Sequence, residues 1–208
     1  FIIPVYNRSN TIKRCLESIL KSFSNNRNSF QIIIVDDKSS DDSIKIANQY
    51  LKDKKINKKI ILNNTNRGSN YSRNIGLINS DGDWGVLLDS DDKLYIDSNN
   101  LINKFRKYKT TDFLSFRCIN EDASFVGNKN INITKFDYYN YINNYDKIFE
   151  KLDCINLSKL SKKEKFIFDE NIYLGCEFVS WSRFLKEDRT NIILNDIGRI
   201  YFNDVDNQ

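Results

Sequence analysis

The sequence predicts an α/β fold, a three-layer α/β/α sandwich around a mainly parallel mixed sheet, and three observations carry that prediction. Over the first half of the chain, short apolar runs alternate with amphipathic helical segments. The strand runs are apolar at nearly every position, as expected of a sheet covered by helices on both faces. Acidic residues follow two of these runs directly, at the carboxyl ends of strands, where open α/β sheets form their ligand crevice.

Phe1 to Val5 reads as the first buried strand. Asn10 can cap the helix that follows, whose apolar positions Ile12, Cys15, Leu16, Ile19, Leu20 and Phe23 recur at helical spacing. Gln31 to Val35 is the second strand. Ile44, Ala47, Tyr50 and Leu51 then mark one face of a second helix, with Asp41 or Asp42 as its cap. Lys59 to Leu62 makes a third strand, Tyr71 to Asn79 a short helix, Asp81-Gly82-Asp83 a turn, and Trp84 to Leu88 a fourth strand. A helix from Ser98 to Tyr108 uses Leu101, Ile102, Phe105 and Tyr108, and a strand from Asp112 to Phe116 follows. Beyond Cys118 the periodicity loosens. Tyr138, Ile142, Tyr145, Phe149 and Leu152 fit one helix, and Cys176 to Leu185 fit another. No linker-like stretch divides the chain, so residues 1–208 are expected to form one domain.

Composition narrows the chemistry. The chain has no His, which excludes Ser-His-Asp and Cys-His nucleophile pairs, a histidine base and a His-ligated zinc. Its seven glycines spell neither G-x-G-x-x-G nor a P-loop. Cys15, Cys118, Cys154 and Cys176 lie far apart and are expected as buried thiols of a reducing compartment. With no apolar run near the roughly 20 residues of a membrane span, the chain is expected to be soluble and cytoplasmic. The missing Met, with an apolar strand at residue 1, suggests a fragment lacking some N-terminal residues. The net charge is +4, and lysines cluster at Lys52, Lys54, Lys55, Lys58 and Lys59 and at Lys159, Lys162, Lys163 and Lys165. Solvated faces explain such runs. The alternative is peripheral contact with the cytoplasmic face of a membrane, at about 1 kcal/mol per Lys. Neither run is interleaved with aromatics, so nucleic acid is not an expected partner.

The acidic clusters are Asp36-Asp37 and Asp89-Ser90-Asp91-Asp92. Several anions in one cleft raise their pKa values or call for a cation, and hard oxygen ligands without His select Mg or Mn. The alternative for Asp36 and Asp37 is helix capping, whereas three acids in four residues exceed what a cap requires. A divalent metal in a cleft without a P-loop points to a diphosphate ligand. Arg67 and Arg73 lie where they could reach its oxygens.

These segments resemble the family 2-type glycosyltransferases, of GT-A, Rossmann-like fold, in the nucleotide-diphospho-sugar transferase superfamily. Phe1-Ile2-Ile3-Pro4-Val5-Tyr6-Asn7 resembles the family's opening strand, and Ile34-Val35-Asp36-Asp37-Lys38-Ser39-Ser40-Asp41 its V-D-D-x-S-x-D turn. Asn66-Arg67-Gly68 with Ser72-Arg73-Asn74-Ile75-Gly76 resembles the N-x-G and A-R-N-x-G segments, and Leu88-Asp89-Ser90-Asp91-Asp92 the L-D-x-D-D metal motif. The resemblance implies a nucleotide-sugar-binding half at 1–117 and an acceptor-binding half at 118–208. It also implies a hexosyl- or N-acetylhexosaminyl-transferase of cell-envelope polysaccharide biosynthesis, moving sugar from a nucleotide-diphospho-sugar donor to a glycan or lipid-linked acceptor. Pro4, Tyr6 and Asp37 would line the nucleotide pocket, with Asp37 accepting from the base. Arg73 would hold the acidic cluster or the diphosphate, and Asp89 would contact ribose or metal. Asp91 would be the main ligand of Mn or Mg, with Asp92 a weaker candidate for the same shell.

Phe168 to Phe178 resembles the region where the family has an E-D pair whose Asp is the general base; here the pair reads Cys176-Glu177. Glu177 is therefore the implied base, in an inverting single displacement, with Asp169 and Glu170 as fallbacks. The family's C-terminal His ligand is missing, and Asn203, Asp204, Asp206 or water would replace it. Two other readings stand beside this one. Val86-Leu87-Leu88-Asp89-Ser90-Asp91 also resembles the nucleophile motif of haloacid-dehalogenase-like phosphatases, although that motif normally opens its domain. A noncatalytic nucleotide-sugar-binding scaffold is the second, motivated by Cys176 and the missing His.

Overall fold

A computed structural model describes residues 1–127, 135–143, 151–160, 168–171, 177–187 and 189–202. In chain order the elements are β1 (Ile2–Val5), α1 (Ile12–Ser22), β2 (Gln31–Asp36), α2 (Ser43–Leu51), β3 (Asn57–Leu62), α3 (Ser69–Ile78), β4 (Trp84–Val86), β5 (Lys93–Leu94), α4 (Ser98–Lys107), β6 (Phe113–Asn120), β7 (Lys135–Phe136), α5 (Tyr138–Asn143), β8 (Lys151–Asn156), α6 (Glu177–Leu185) and β9 (Asn191–Tyr201). Strands β1, β2 and β3 are parallel and neighbours in that order. A parallel bridge from Ile2 to Leu87 and a hydrogen bond from Leu88 N–H to the Ile2 carbonyl, 3.1 Å, carry the sheet across to the chain after β4. From there the order is β4-β8-β6-β9-β5, with β7 on β9. Of these pairs, β6–β9 is parallel and the rest are antiparallel. The expected α/β architecture is thus parallel at one side and mixed at the other.

The pleat of β1 accounts for the two helical layers. Ile3 and Val5 join Cys15, Leu16 and Ile19 of α1 and Ala47 and Leu51 of α2 in one core. Ile2 points the opposite way, to Leu77 of α3 and, beyond it, Phe113, Ile155, Trp181 and Phe184. Each large apolar side chain buried in this way contributes about 1.5–3 kcal/mol relative to exposure. The first helix therefore buries the face that its spacing predicts, although its N-cap is Thr11 rather than Asn10. Cys15, Cys118 and Cys154 are buried free thiols; Cys176 lies outside the described residues.

The second half departs from the sequence reading. Of the helix expected through Tyr138 and Leu152, the described part is α5 (Tyr138–Asn143); Tyr145 and Phe149 lie outside the described residues, and Leu152 belongs to β8. Leu152 and Cys154 face one core while Ile155 faces the other, a two-residue alternation that helical spacing had matched by coincidence. Tyr141 is the buried residue of α5, and Ile142 is exposed. Strand β6 runs to Asn120 rather than Phe116, because β9 pairs with it as far as Asn120 while β8 pairs with it as far as Arg117, and β9 was not anticipated from the sequence. Of the first lysine run, Lys58 donates to the Leu51 carbonyl at the end of α2, and Lys59 pairs with Asp81 at 2.7 Å. Lys162, Lys163 and Lys165 lie outside the described residues. No helix among the described residues is long and apolar enough to cross a membrane.

Helix α3 lies close on β1, and Gly76 allows it: a Cβ there would stand 2.3 Å from Ile2 Cγ2. Gly76→Ala is expected to lower stability by about 1–3 kcal/mol through overpacking, read as a fall in the urea midpoint. An unchanged midpoint would contradict this close approach.

Candidate functional site

The loops that follow β1, β2 and β4 converge at the carboxyl ends of the strands. Asn7 takes a left-handed conformation, φ 50°, which a short amide side chain tolerates. Its N–H donates to Ser39 Oγ at 3.0 Å and its Oδ1 accepts from Ser40 N–H at 2.8 Å, lacing the first loop to the second. Ser9 N–H donates to Asp41 at 2.9 Å and Arg8 N–H to Ser43 Oγ at 2.6 Å, which continue that seam. Pro4 is buried within β1, and Tyr6 beyond it is 46% exposed at the crevice.

Asp36 and Asp37 are both buried and both engaged by the chain itself. Asp36 accepts from Ser39 N–H at 3.2 and 3.3 Å. Asp37 accepts from Asn63 Nδ2 at 2.9 Å, from Arg67 N–H at 3.0 and 3.1 Å, and from Gly68 N–H at 2.6 Å. Gly68 has φ 86° and ψ 167°, a region essentially reserved for glycine, which explains the glycine of the Asn66-Arg67-Gly68 segment. Asp37 thus holds the loop that opens α3.

The acidic cluster after β4 is met by arginines from three directions. Asp89 Oδ1 lies 2.7 Å from Arg73 Nη2 of α3, and Asp89 Oδ2 lies 3.0 Å from Arg199 Nη1 of β9. Burial alone would raise the Asp89 carboxyl, but these two guanidiniums hold it well below the ordinary carboxylate range. Asp92 is 1% exposed. Its Oδ2 lies 2.9 Å from Arg199 Nη1, yet receives no hydrogen bond of good geometry from it, while Oδ1 accepts from Phe202 N–H at 3.3 Å. Burial lifts Asp92 to about 7, with Asp89 and Asp91 adding to the effect and Arg199 opposing it. Asp91 keeps 31% of its side-chain surface, and its Oδ2 lies 3.2 Å from Arg8 Nε. Burial and the neighbouring Asp89 raise the Asp91 carboxyl, against the pull of Arg8.

Asp91 and Asp89 keep similar side-chain surface, 31% and 33%, but both Asp89 oxygens are taken by guanidiniums, so Asp91 carries the oxygen suited to a hard cation. Among the described residues no three acidic, Cys or His side chains converge into a ready metal cage. Such a set fits Mg or Mn held by one or two carboxylates with substrate phosphates and water, rather than an all-protein site. Asn203, Asp204 and Asp206 lie outside the described residues. The Asp89 oxygens are both engaged by guanidiniums, which argues against a phosphatase nucleophile there.

Helix α3 also reaches the second half of the chain. Asn74, fully buried, accepts from Phe168 N–H at 2.9 Å and donates to the Phe168 carbonyl at 2.8 Å and to Glu170 Oε1 at 3.1 Å. Asn70 Nδ2 donates to the Asp169 carbonyl at 3.1 Å. Arg67, stacked over Tyr71, lies 3.2 Å from Glu170 Oε2. Asp169 is engaged by Arg183 of α6 and by Asn171. Glu177 is the first residue of α6, and its side chain lies outside the described residues.

Sequence reasoning missed Arg8, Arg14, Asn74 and Arg199 as site residues. Arg8 stands one residue past the strand-end segment, and Arg14, which donates to the Asp91 carbonyl, lies on the first turn of an ordinary amphipathic helix. Arg199 is aimed by two register shifts between β6 and β9, around Phe116 to Cys118. Gly198 marks the place: a Cβ there would stand 2.6 Å from Phe116 Cβ. That glycine was the one local signal available.

The family profile described as "Glycosyl transferase family 2" matches residues 1–167. An uncharacterized glycosyltransferase of Rickettsia felis is 35% identical over 127 residues, covering 60% of this chain and 20% of that protein. The poly(ribitol-phosphate) beta-glucosyltransferase of Bacillus spizizenii is 37% identical over 115 residues, covering 53% of this chain and 17% of that protein. The chain thus spans 20% or less of the length of these two relatives. The crystal structure of S. aureus TarS 1-349 in complex with UDP superposes with a TM-score of 0.75 at 21% identity, over 97% of this chain and 59% of that one. That likeness is one of fold.

Arg199 is 5% exposed and neutralises two carboxylates. Arg199→Met is expected to cost about 3–5 kcal/mol, the usual effect of stranding a buried charge. Adding Asp92→Asn should restore part of the loss in denaturant unfolding. A double variant no more stable than the single would show that Asp92 is not the charge Arg199 offsets.

Proposed function

The chain belongs to glycosyl transferase family 2, and from that premise we propose that it transfers a sugar from a nucleotide-diphospho-sugar to a hydroxyl acceptor, with a divalent cation and with inversion at the anomeric carbon. The observation that carries the reading is Asp91, a partly open carboxylate at the end of a central strand, with its neighbour Asp89 locked by two arginines. Because this chain is a small part of the relatives' length, its donor and acceptor are proposed from chemistry. A UDP-sugar is the first donor to try, given the UDP in the TarS crystal structure. Hexosyl and N-acetylhexosaminyl donors both fall within the reading. A polyol-phosphate polymer is the first acceptor to try, given the name of the Bacillus relative.

In this reading Pro4 and Tyr6 line the nucleotide end of the crevice. Asp37 contributes by fixing the Arg67-Gly68 loop at its edge. Asp91 would hold the cation, with Asp89 and more weakly Asp92 adding negative charge behind it from their arginine contacts. When bound, that cation supplies Lewis-acid stabilisation of the charge growing on the departing nucleoside diphosphate. Arg73 keeps Asp89 ionised and oriented through its 2.7 Å contact. Glu177 at the start of α6 would remove the acceptor hydroxyl proton as that oxygen attacks the anomeric carbon, which makes the displacement direct and inverting. Asn74 would serve by fixing the segment that leads toward α6.

Asp91→Asn is expected to leave the circular dichroism spectrum unchanged and to reduce transfer by at least about 100-fold, with a chelator doing the same to the wild type. Full activity in either case would overturn the metal-dependent mechanism. Glu177→Gln should lower kcat by about 10²–10⁴-fold, the usual contribution of a general base, in an assay that screens donors by product mass. Wild-type kcat in that variant would move the base to another residue.

A further inference from the structure

We propose that Arg8 is the resident counter-ion of Asp91, so that the divalent cation enters the site together with the donor diphosphate and only weakly by itself. The inference rests on the metal-dependent reading above and extends it to a residue with no role in that mechanism.

Arg8 is held as a fixture. Its Nη1 donates to the Tyr6 carbonyl at 3.2 Å and to the Asn7 carbonyl at 3.1 Å, and its Nε to Asp91 Oδ2 at 3.2 Å. The left-handed turn at Asn7 and the bond from Arg8 N–H to Ser43 Oγ anchor the backbone on either side. The Nη2 group meets no acceptor among the described residues, and the side chain is 27% exposed, so part of the guanidinium fork beside Asp91 is open to solvent. A planar fork with a free edge suits a phosphate oxygen.

Charge decides the order of events. Among the described residues the carboxyls of Asp89, Asp91 and Asp92 lie against the guanidiniums of Arg73, Arg199 and Arg8, which leaves no surplus negative charge for a lone divalent ion. Arg14 adds a further cation at the Asp91 carbonyl. A divalent ion arriving alone at Asp91 stands beside Arg8 or displaces it, and in either case leaves two like-charged groups close together, which is unfavourable at short range. A nucleoside diphosphate carries the missing negative charge and offers oxygens both to the cation and to the displaced Arg8. Metal and diphosphate should then each raise the affinity of the other by the same factor, as linkage requires.

The test is Mn²⁺ binding to the folded chain, followed by electron paramagnetic resonance and calorimetry, with and without UDP. In the wild type, UDP should tighten Mn²⁺ by about 10-fold or more, within the usual range of coupling between sites. In R8Q, Mn²⁺ alone should bind about 10-fold more tightly than to the wild type, and the effect of UDP should shrink by the same factor. R8K keeps the charge and should retain the weak binding of Mn²⁺ alone. The proposal is overturned if R8Q binds Mn²⁺ alone as the wild type does, or if R8K behaves as R8Q is expected to. Should R8Q not fold, the R8K result and the wild-type coupling still decide. A wild type that takes up no Mn²⁺ even with UDP would overturn the metal-dependent reading itself, an outcome distinct from the first two.

Discussion

The clamp on Asp89 is the constraint on which the rest of the site depends. Its two oxygens are taken by Arg73 from a helix of the first half and by Arg199 from the last strand, so three distant pieces of chain meet at one carboxylate. Breaking a buried pair of this kind costs far more than the intact pair gains over apolar packing. Its main effect is therefore on geometry. Helix α3 and strand β9 cannot shift relative to the end of β4 without leaving a charge stranded, and the loop that carries Asp91 is positioned as a consequence.

Helix α3 distributes that constraint. Arg67 and Gly68, just before its first turn, hold Asp37 at the end of β2. Asn70, Arg73 and Asn74 stand at i, i+3 and i+4 and so share one face. From that face Arg73 reaches Asp89, while Asn70 and Asn74 reach residues 168–170. One turn beyond Arg73, Gly76 seats the helix against Ile2. One short helix thus sets the nucleotide side, the acidic cluster and the approach to α6 in a common frame, which is what a reaction between a donor and an acceptor requires of its scaffold.

Legibility in the sequence follows the range of the interactions. Ile2 to Val5, Gln31 to Asp36 and the face of α1 were readable because a buried strand or an amphipathic helix writes its period into adjacent residues. Asp91 and Asp89 were readable because they follow an apolar run directly. Leu152 was misread because it continues the helical spacing of Tyr138, Ile142, Tyr145 and Phe149, although it belongs to a strand that alternates between two cores. Strands β8 and β9 find their partners at β4 and β6, tens of residues away, and little in their own composition announces it.

The sequence by itself determined the α/β alternation, the carboxylates at the strand ends and, through four ordered segments, the family. Tertiary structure alone decided how those carboxylates are used: that Asp36 and Asp37 fasten loops, that Asp92 is sealed in, and that Asp91 stays open beside Arg8. The physical reason is that periodicity and backbone preference act between near neighbours in the chain, whereas the partner of a charge is set by distance in space. Arg199 meets Asp89 across 110 residues at 3.0 Å, and nothing local to either residue encodes that meeting.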